Sequence, residues 1–290
     1  MSNAPGPNIE GFHDPVTGTV SYVVYDRTGG SAAIIDPVLD YAANAGRTGS
    51  HSVQRLVDCL VANGLTLAWI LETHTHADHL SAAAWLRDRL GGRIGIGERI
   101  GTVQRFFAAR FNLGDAFPAD GRQFDRLFAD GETFRIGELE AEVLFVPGHT
   151  PADIAYRIGD AVFVGDTLFM PDLGTARCDF PGGDAATMFD SIQRLFALPP
   201  QTRLFMCHDY ALPGRAPCWT STVAEQRAAN IHIGGGTGRD AFVALRQGRD
   251  ATLDVPALML PAIQVNIRAG ALPEPEDNGT RYLKIPLVPQ

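Results

Sequence analysis

The stretch Thr73-His74-Thr75-His76-Ala77-Asp78-His79 places three of the chain's eight histidines and one aspartate within seven residues. Leu67 to Glu72, just before it, is an apolar run of strand length. Leu80 to Leu90, just after it, has helical spacing and closes on Gly91-Gly92. Imidazole and carboxylate groups gathered at a strand-to-helix junction form a metal-ligand pattern, because neutral ring nitrogens and ionised oxygens are the donors that divalent metals take. Alternation in an extended stretch predicts His74 and His76 on one side, with Asp78 and His79 in the turn, where an acid also suits the helix dipole. The competing reading is a solvated polar loop.

Outward from this junction, Val20 to Asp26 and Ala32 to Asp36 read as strands joined by Arg27-Thr28-Gly29-Gly30, a hairpin with paired glycines. Ser52 to Ala62 is an amphipathic helix, with Val53, Leu56, Val57 and Leu60 at helical spacing and Asn63-Gly64 as its stop. Further strands are predicted at Glu142 to Val146, Ile154 to Arg157, Ala161 to Val164 and Leu204 to Cys207, and a helix at Ala185 to Leu198. Strand and helix alternate, so the fold class is α/β. Beyond Asp254 come Pro256, Pro261, Pro273, Pro275, Pro286 and Pro289, a spacing that excludes long helices. The simplest partition is one catalytic domain over residues 1–253 with a Pro-rich C-terminal extension, 254–290, packed on it.

With 290 residues, 45% of them hydrophobic, the chain can bury a substantial core. A net charge of −9 argues against nucleic acid or an acidic membrane as partner. Met1 to Pro7 carries neither the basic nor the apolar part of a secretory signal, and no stretch reaches the ~20 apolar residues of a membrane span. Cys59, Cys178, Cys207 and Cys218 lack paired short spacings, which points to a reducing cytosol and no structural disulfide. Cys59 and Cys207 read as small buried hydrophobes. Cytoplasmic location is the expectation.

Three later sites each end a predicted strand: Pro147-Gly148-His149-Thr150, Gly165-Asp166-Thr167-Leu168-Phe169 and Cys207-His208-Asp209-Tyr210. Singly, each reads as a turn or a satisfied core residue. In this order behind the histidine stretch, they resemble the metallo-β-lactamase superfamily, over roughly Thr19 to Tyr210. That resemblance implies an αββα sandwich with a metal site at one edge. It places Asp36, otherwise a turn-forming Asp-Pro, where the family has an aspartate orienting the histidine loop. All seven ligand positions of the superfamily are filled, by His74, His76, Asp78, His79, His149, Asp166 and His208.

The segment from Gly165 to Phe180, with Met170-Pro171-Asp172-Leu173-Gly174-Thr175 and Arg177-Cys178-Asp179-Phe180, is similar to the persulfide dioxygenases, in particular to bacterial β-lactamase hydrolase-like members. So is the run from Leu258 to Gly270. The resemblance implies one Fe(II) per chain held by His74, His149 and Asp166, with Asp36, His76, Asp78, His79, Asp179 and His208 as supporting or vacant second-metal positions. It implies that the enzyme oxidises glutathione persulfide with O2 and water to sulfite and glutathione. A two-histidine, one-carboxylate face leaves positions open on iron for a sulfur ligand and O2. Arg177 would hold a glutathione carboxylate, and Tyr210 would reach into the same pocket; on composition alone they read as a surface arginine paired with Asp179 and a packing tyrosine. The alternatives are a glyoxalase II-like dinuclear zinc hydrolase of glutathione thioesters, against which the Pro-rich tail counts, and a sulfur sensor built on a Cys178 thiol of lowered pKa beside Arg177. The apolar tail either packs on its own domain or forms a homodimer contact.

Overall fold

The computed structural model describes residues 6–210 and 212–287; the first five residues of the stretch read for a secretory signal, and Pro289, lie outside them. The chain runs β1 (Asn8–His13), β2 (Val20–Tyr25), β3 (Ser31–Ile35), β4 (Val38–Ala42), β5 (Arg47–Gly49), α1 (His51–Ala62), β6 (Thr66–Leu71), β7 (Leu80–Ser81), α2 (Ala83–Leu90), β8 (Arg93–Gly97), α3 (Ile100–Arg110) and β9 (Arg126–Phe128). The second half follows with β10 (Thr133–Ile136), β11 (Leu139–Phe145), β12 (Ile154–Ile158), β13 (Ala161–Phe163), α4 (Ala185–Phe196), β14 (Arg203–Phe205), β15 (Thr220–Thr222), α5 (Val223–Ala229), α6 (Arg239–Asp250) and α7 (Met259–Asn266). One sheet has the order β1-β2-β3-β6-β8-β9, a second runs β10 to β15 in sequence, and β5-β4-β7 form a small third sheet.

The strand sequences explain the layering. β2 is buried along its whole length, yet its side chains alternate: Val23 and Tyr25 join the helix-side core, while Val20, Tyr22 and Val24 face the other sheet. β3 divides in the same way, Ala32 and Ile34 against Ala33 and Ile35. Between the sheets lie Tyr22, Val143, Tyr156, Phe163 and Phe205. Outside the first sheet pack Leu56, Leu60, Leu86, Val103 and Phe107; outside the second pack Met188, Ile192, Leu195 and Phe242. The result is a four-layer αββα sandwich.

Several boundaries differ from the sequence reading. The helix expected from Leu80 starts at Ala83, because Leu80 and Ser81 pair with Leu39 and Val38 of β4. The histidine stretch is an irregular loop rather than an extended segment, yet it brings the His74 and His76 rings together, their centroids 4.0 Å apart. β1, β8, α3, β9, β10, α5 and α6 were not read from the sequence; β8, for example, is only Arg-Ile-Gly-Ile-Gly, too short and glycine-rich to stand out. In the tail, α7 tolerates Pro261 in its first turn, where no intrahelical N–H is needed. Ala262, Ile263 and Val265 of α7 are fully buried in the core under the first sheet. All four cysteines are free, and no helix among the described residues is long and apolar enough to cross a membrane.

Candidate metal centre

The site is built on strand ends at one edge of the sandwich. Asp36, the residue after β3, has a left-handed backbone (φ 49°) and is buried. Its Oδ1 accepts from the Thr73 amide at 2.8 Å and contacts His76 Nε2 at 2.9 Å, while Oδ2 accepts from the Thr73 hydroxyl at 2.9 Å. That hydroxyl has given its only proton to Asp36, so in its 3.0 Å contact with His74 Nδ1 it must accept. His74 therefore carries its proton on Nδ1 and presents Nε2 as a bare lone pair. His149 reaches the same state by another route: its Nδ1 donates to the Arg177 carbonyl at 2.7 Å, leaving Nε2 free. The loop carrying His149 is tightened by Asp153, which accepts from the Thr150 amide at 2.6 Å and hydroxyl at 2.5 Å.

These two nitrogens converge on Asp166, which follows Gly165. Gly165 has φ 54° and lies so close to Thr73 that an added Cβ would sit 2.9 Å from its side chain, so the turn presenting Asp166 requires glycine. His74 Nε2 and His149 Nε2 lie 3.8 and 3.7 Å from Asp166 Oδ2, and the three ligand atoms fall within 4.8 Å of one another. His76, Asp78 and His79 form a second such group. His208 links the two, with Nδ1 2.6 Å from Asp166 Oδ1 and Nε2 2.8 Å from Asp78 Oδ2.

The electrostatics suit a cation between these groups. Burial pushes His74 well below the ordinary imidazole value, helped by His76, so it is neutral and ligand-ready. Burial opposes ionisation of Asp166 and Asp78, but the surrounding imidazoles hold both carboxyls low. His76 is the exception: burial opposes its charge, yet the Asp36 carboxylate holds it up at about 9, so a metal at its Nδ1 would have to displace a proton. His74 Nε2, His76 Nδ1 and His79 Nε2 are all buried without a hydrogen-bond partner among the described residues. Each such atom costs about 1–3 kcal/mol if nothing meets it. Three in one cluster fit a bound metal ion.

A metallo-beta-lactamase superfamily model matches residues 14–208. The chain belongs to the metallo-β-lactamase superfamily. Among its superfamily relatives, a probable metallo-hydrolase of Burkholderia pseudomallei is 54% identical over 96% of this chain and 98% of its own length. The β-lactamase hydrolase-like protein of Agrobacterium fabrum is 52% identical over 98% of this chain, which spans only 66% of that longer protein. Glyoxylase B2 of Dictyostelium discoideum is 47% identical over 99% of this chain and 98% of its own length. The mitochondrial persulfide dioxygenase ETHE1 of Homo sapiens is 30% identical over 76% of this chain and 73% of its own length. The crystal structure of ETHE1 from Myxococcus xanthus matches with a TM-score of 0.73 at 28% identity, over 91% of this chain and all of that one.

The metallo-β-lactamase site opens into a pocket of about 690 Å³, lined among others by His149, Asp166, Arg177, Tyr210 and Arg249. Tyr210 is half exposed there, its ring stacked on His208 at 5.4 Å. Arg177 reaches the pocket, but its guanidinium is committed to Asp179 at 2.5 and 2.6 Å and to the Asp254 carbonyl at 2.6 Å. The Cys178 thiol is not activated: burial pushes it up to about 12, against the lowering charge of Arg246. Two residues that hold the ligand loop escaped the sequence reading. Thr19 Oγ1 touches Asp78, His79 and His208 at 3.0 to 3.2 Å. Asn266 of α7 accepts from the Ser81 amide and donates to the His76 and His79 carbonyls, each at 2.8 Å. A threonine just ahead of a strand and an asparagine in a Pro-rich tail give no local signal of such roles.

Proposed function

We propose that the chain is an iron(II)-dependent persulfide dioxygenase, oxidising glutathione persulfide with O2 and water to sulfite and glutathione. The observation that carries this reading is the face made by His74, His149 and Asp166, with tautomers fixed so that both Nε2 atoms are bare and all three groups point to one place beside a pocket. The likeness to persulfide dioxygenases in sequence and fold supports it. Iron(II) held there would supply electrons and open coordination positions for O2, which zinc does not. The protein's own contribution is positional. Asp36, Thr73 and the Arg177 carbonyl set the histidine rings, Phe169 and Leu173 give the pocket apolar wall, and Tyr210 offers a hydroxyl at its mouth.

A second reading, hydrolysis of a glutathione thioester by a dinuclear centre, is favoured by the unpartnered His76 Nδ1 and His79 Nε2 and by the Glyoxylase B2 relative. α6, which precedes the tail, supplies a helical wall to the pocket. Chemistry separates the two. The Fe(II)-loaded protein is expected to consume O2 and release sulfite with glutathione persulfide, and an iron chelator is expected to stop it. Rapid anaerobic cleavage of S-lactoylglutathione without persulfide-dependent O2 uptake would overturn the assignment. Cys178→Ser is expected to stay active, in keeping with its buried, un-ionised thiol.

A further inference from the structure

Asn266, at the end of α7, lies beyond residues 14–208, over which the superfamily model matches, yet its side chain sits inside the ligand loop. Both protons of its amide go to loop carbonyls, those of His76 and His79, and its oxygen takes the Ser81 N–H. Ser81 carries the connection on. Its hydroxyl donates to Glu72 Oε1 and accepts from the Ala83 amide at 3.0 Å. Glu72 is 3% exposed, and its second oxygen, Oε2, has no hydrogen-bond partner among the described residues and lies 3.7 Å from His76 Nε2. Three buried side chains thus tie the residue before the loop, two carbonyls within it and the strand after it to one helix. That helix is itself fixed. The fully buried Gln104 donates to the Ile267 carbonyl at 2.8 Å. Gly270 follows with φ 79°, so close that an added Cβ would sit 2.8 Å from the Ser81 carbonyl.

We infer that Glu72, Ser81 and Asn266 are positioning residues for the His76, Asp78 and His79 group alone, so that α7 governs whether the centre takes a second ion. None of their side-chain bonds among the described residues falls on Thr73 to Thr75, His149 or Asp166. The first group has its own supports: Asp36 and Thr73 for His74, the Arg177 carbonyl for His149, and the Gly165 turn for Asp166. A carbonyl held in place fixes its peptide plane, and with it the direction in which the side chain leaves the backbone. Two such planes held by one amide keep His76, Asp78 and His79 where their donor atoms lie within 4.8 Å of one another. The inference concerns how many ions bind, and it holds whichever substrate the centre takes.

The test is calorimetric titration of the chelator-stripped full chain with zinc, with bound metal counted by elemental analysis. Wild type is expected to take two ions in succession. Ser81→Ala and Asn266→Ala should weaken the second by about 10–100-fold, the usual loss when a ligand's outer support is removed, and leave the first unchanged. Glu72→Gln, whose amide oxygen can still accept from Ser81, should keep most of the second ion's affinity, and Glu72→Ala should not. A general loosening of the fold would instead weaken both ions alike, and that result overturns the inference. So would a wild type that takes one zinc only, or a second ion bound equally well by wild type and Ser81→Ala, the milder variant. Absence of persulfide-driven O2 uptake in the iron-loaded wild type would remove the dioxygenase and leave this inference standing.

Discussion

At the scale of single residues, the ligand assignment turns on which nitrogens are bare. His74 and His149 have their Nδ1 protons fixed by Thr73 and the Arg177 carbonyl, and their Nε2 atoms face Asp166. His149→Ala or Asp166→Ala is therefore expected to lose most of the bound metal and all activity, as read by elemental analysis. His76 is held by Asp36 through its other nitrogen, and His76→Ala is expected to keep much of the iron. Two zinc ions per chain, lost together in that variant, would remove the mononuclear assignment. His232 makes a separate claim on stability. Held by burial at about 4 against an ordinary ~6.5, it favours the folded state fully above that ordinary value, and this contribution is lost as pH falls toward 4. His232→Gln, which keeps an acceptor for the Thr175 amide, should flatten the acid limb of urea stability by on the order of 1–2 kcal/mol between pH 7 and pH 5. An unchanged limb would place the acid sensitivity elsewhere.

At the scale of elements, the loop from Asp166 to Phe180 is tied to the segment after α6. Arg177 bonds the Leu253 and Asp254 carbonyls, and Asp250 accepts from the Cys178 amide at 2.8 Å. Arg177→Ala should loosen residues 251–258, giving faster amide exchange there and a raised KM with iron retained; unchanged exchange with a raised KM would return Arg177 to direct contact with the ligand. The histidine stretch was legible from its density of ligand types, and β2, β3 and α1 from local signals: runs of strand length on either side of the Arg27-Thr28-Gly29-Gly30 turn, and helical spacing for Val53, Leu56 and Leu60. The wall contributed by α6 was not legible. Phe242 and Arg246 face inward while Arg249 is exposed, which in sequence reads as an ordinary amphipathic surface helix. Which arginine fork is filled depends on Asp179, Asp250 and two carbonyls whose placement only the tertiary fold decides. The same holds for Asn266.

At the scale of the whole molecule, the centre draws His74 to His79 from loops of the first sheet, and His149, Asp166 and His208 from loops of the second. A metal bound there joins the two halves. Loading should raise the unfolding temperature, with a gain of about 4 kcal/mol at a thousand times Kd, and His149→Ala should show little of it. Scanning calorimetry with and without a chelator checks this, and equal shifts in both proteins would mean the metal binds elsewhere. The bonds from Asn266 bear on a different matter, the order in which the protein comes into being. The carbonyls of His76 and His79 await a side chain nearly two hundred residues downstream. Until α7 has emerged and docked, the histidine loop lacks that brace even where both sheets are already in place, so the ligand loop takes its full shape after the strands that carry it.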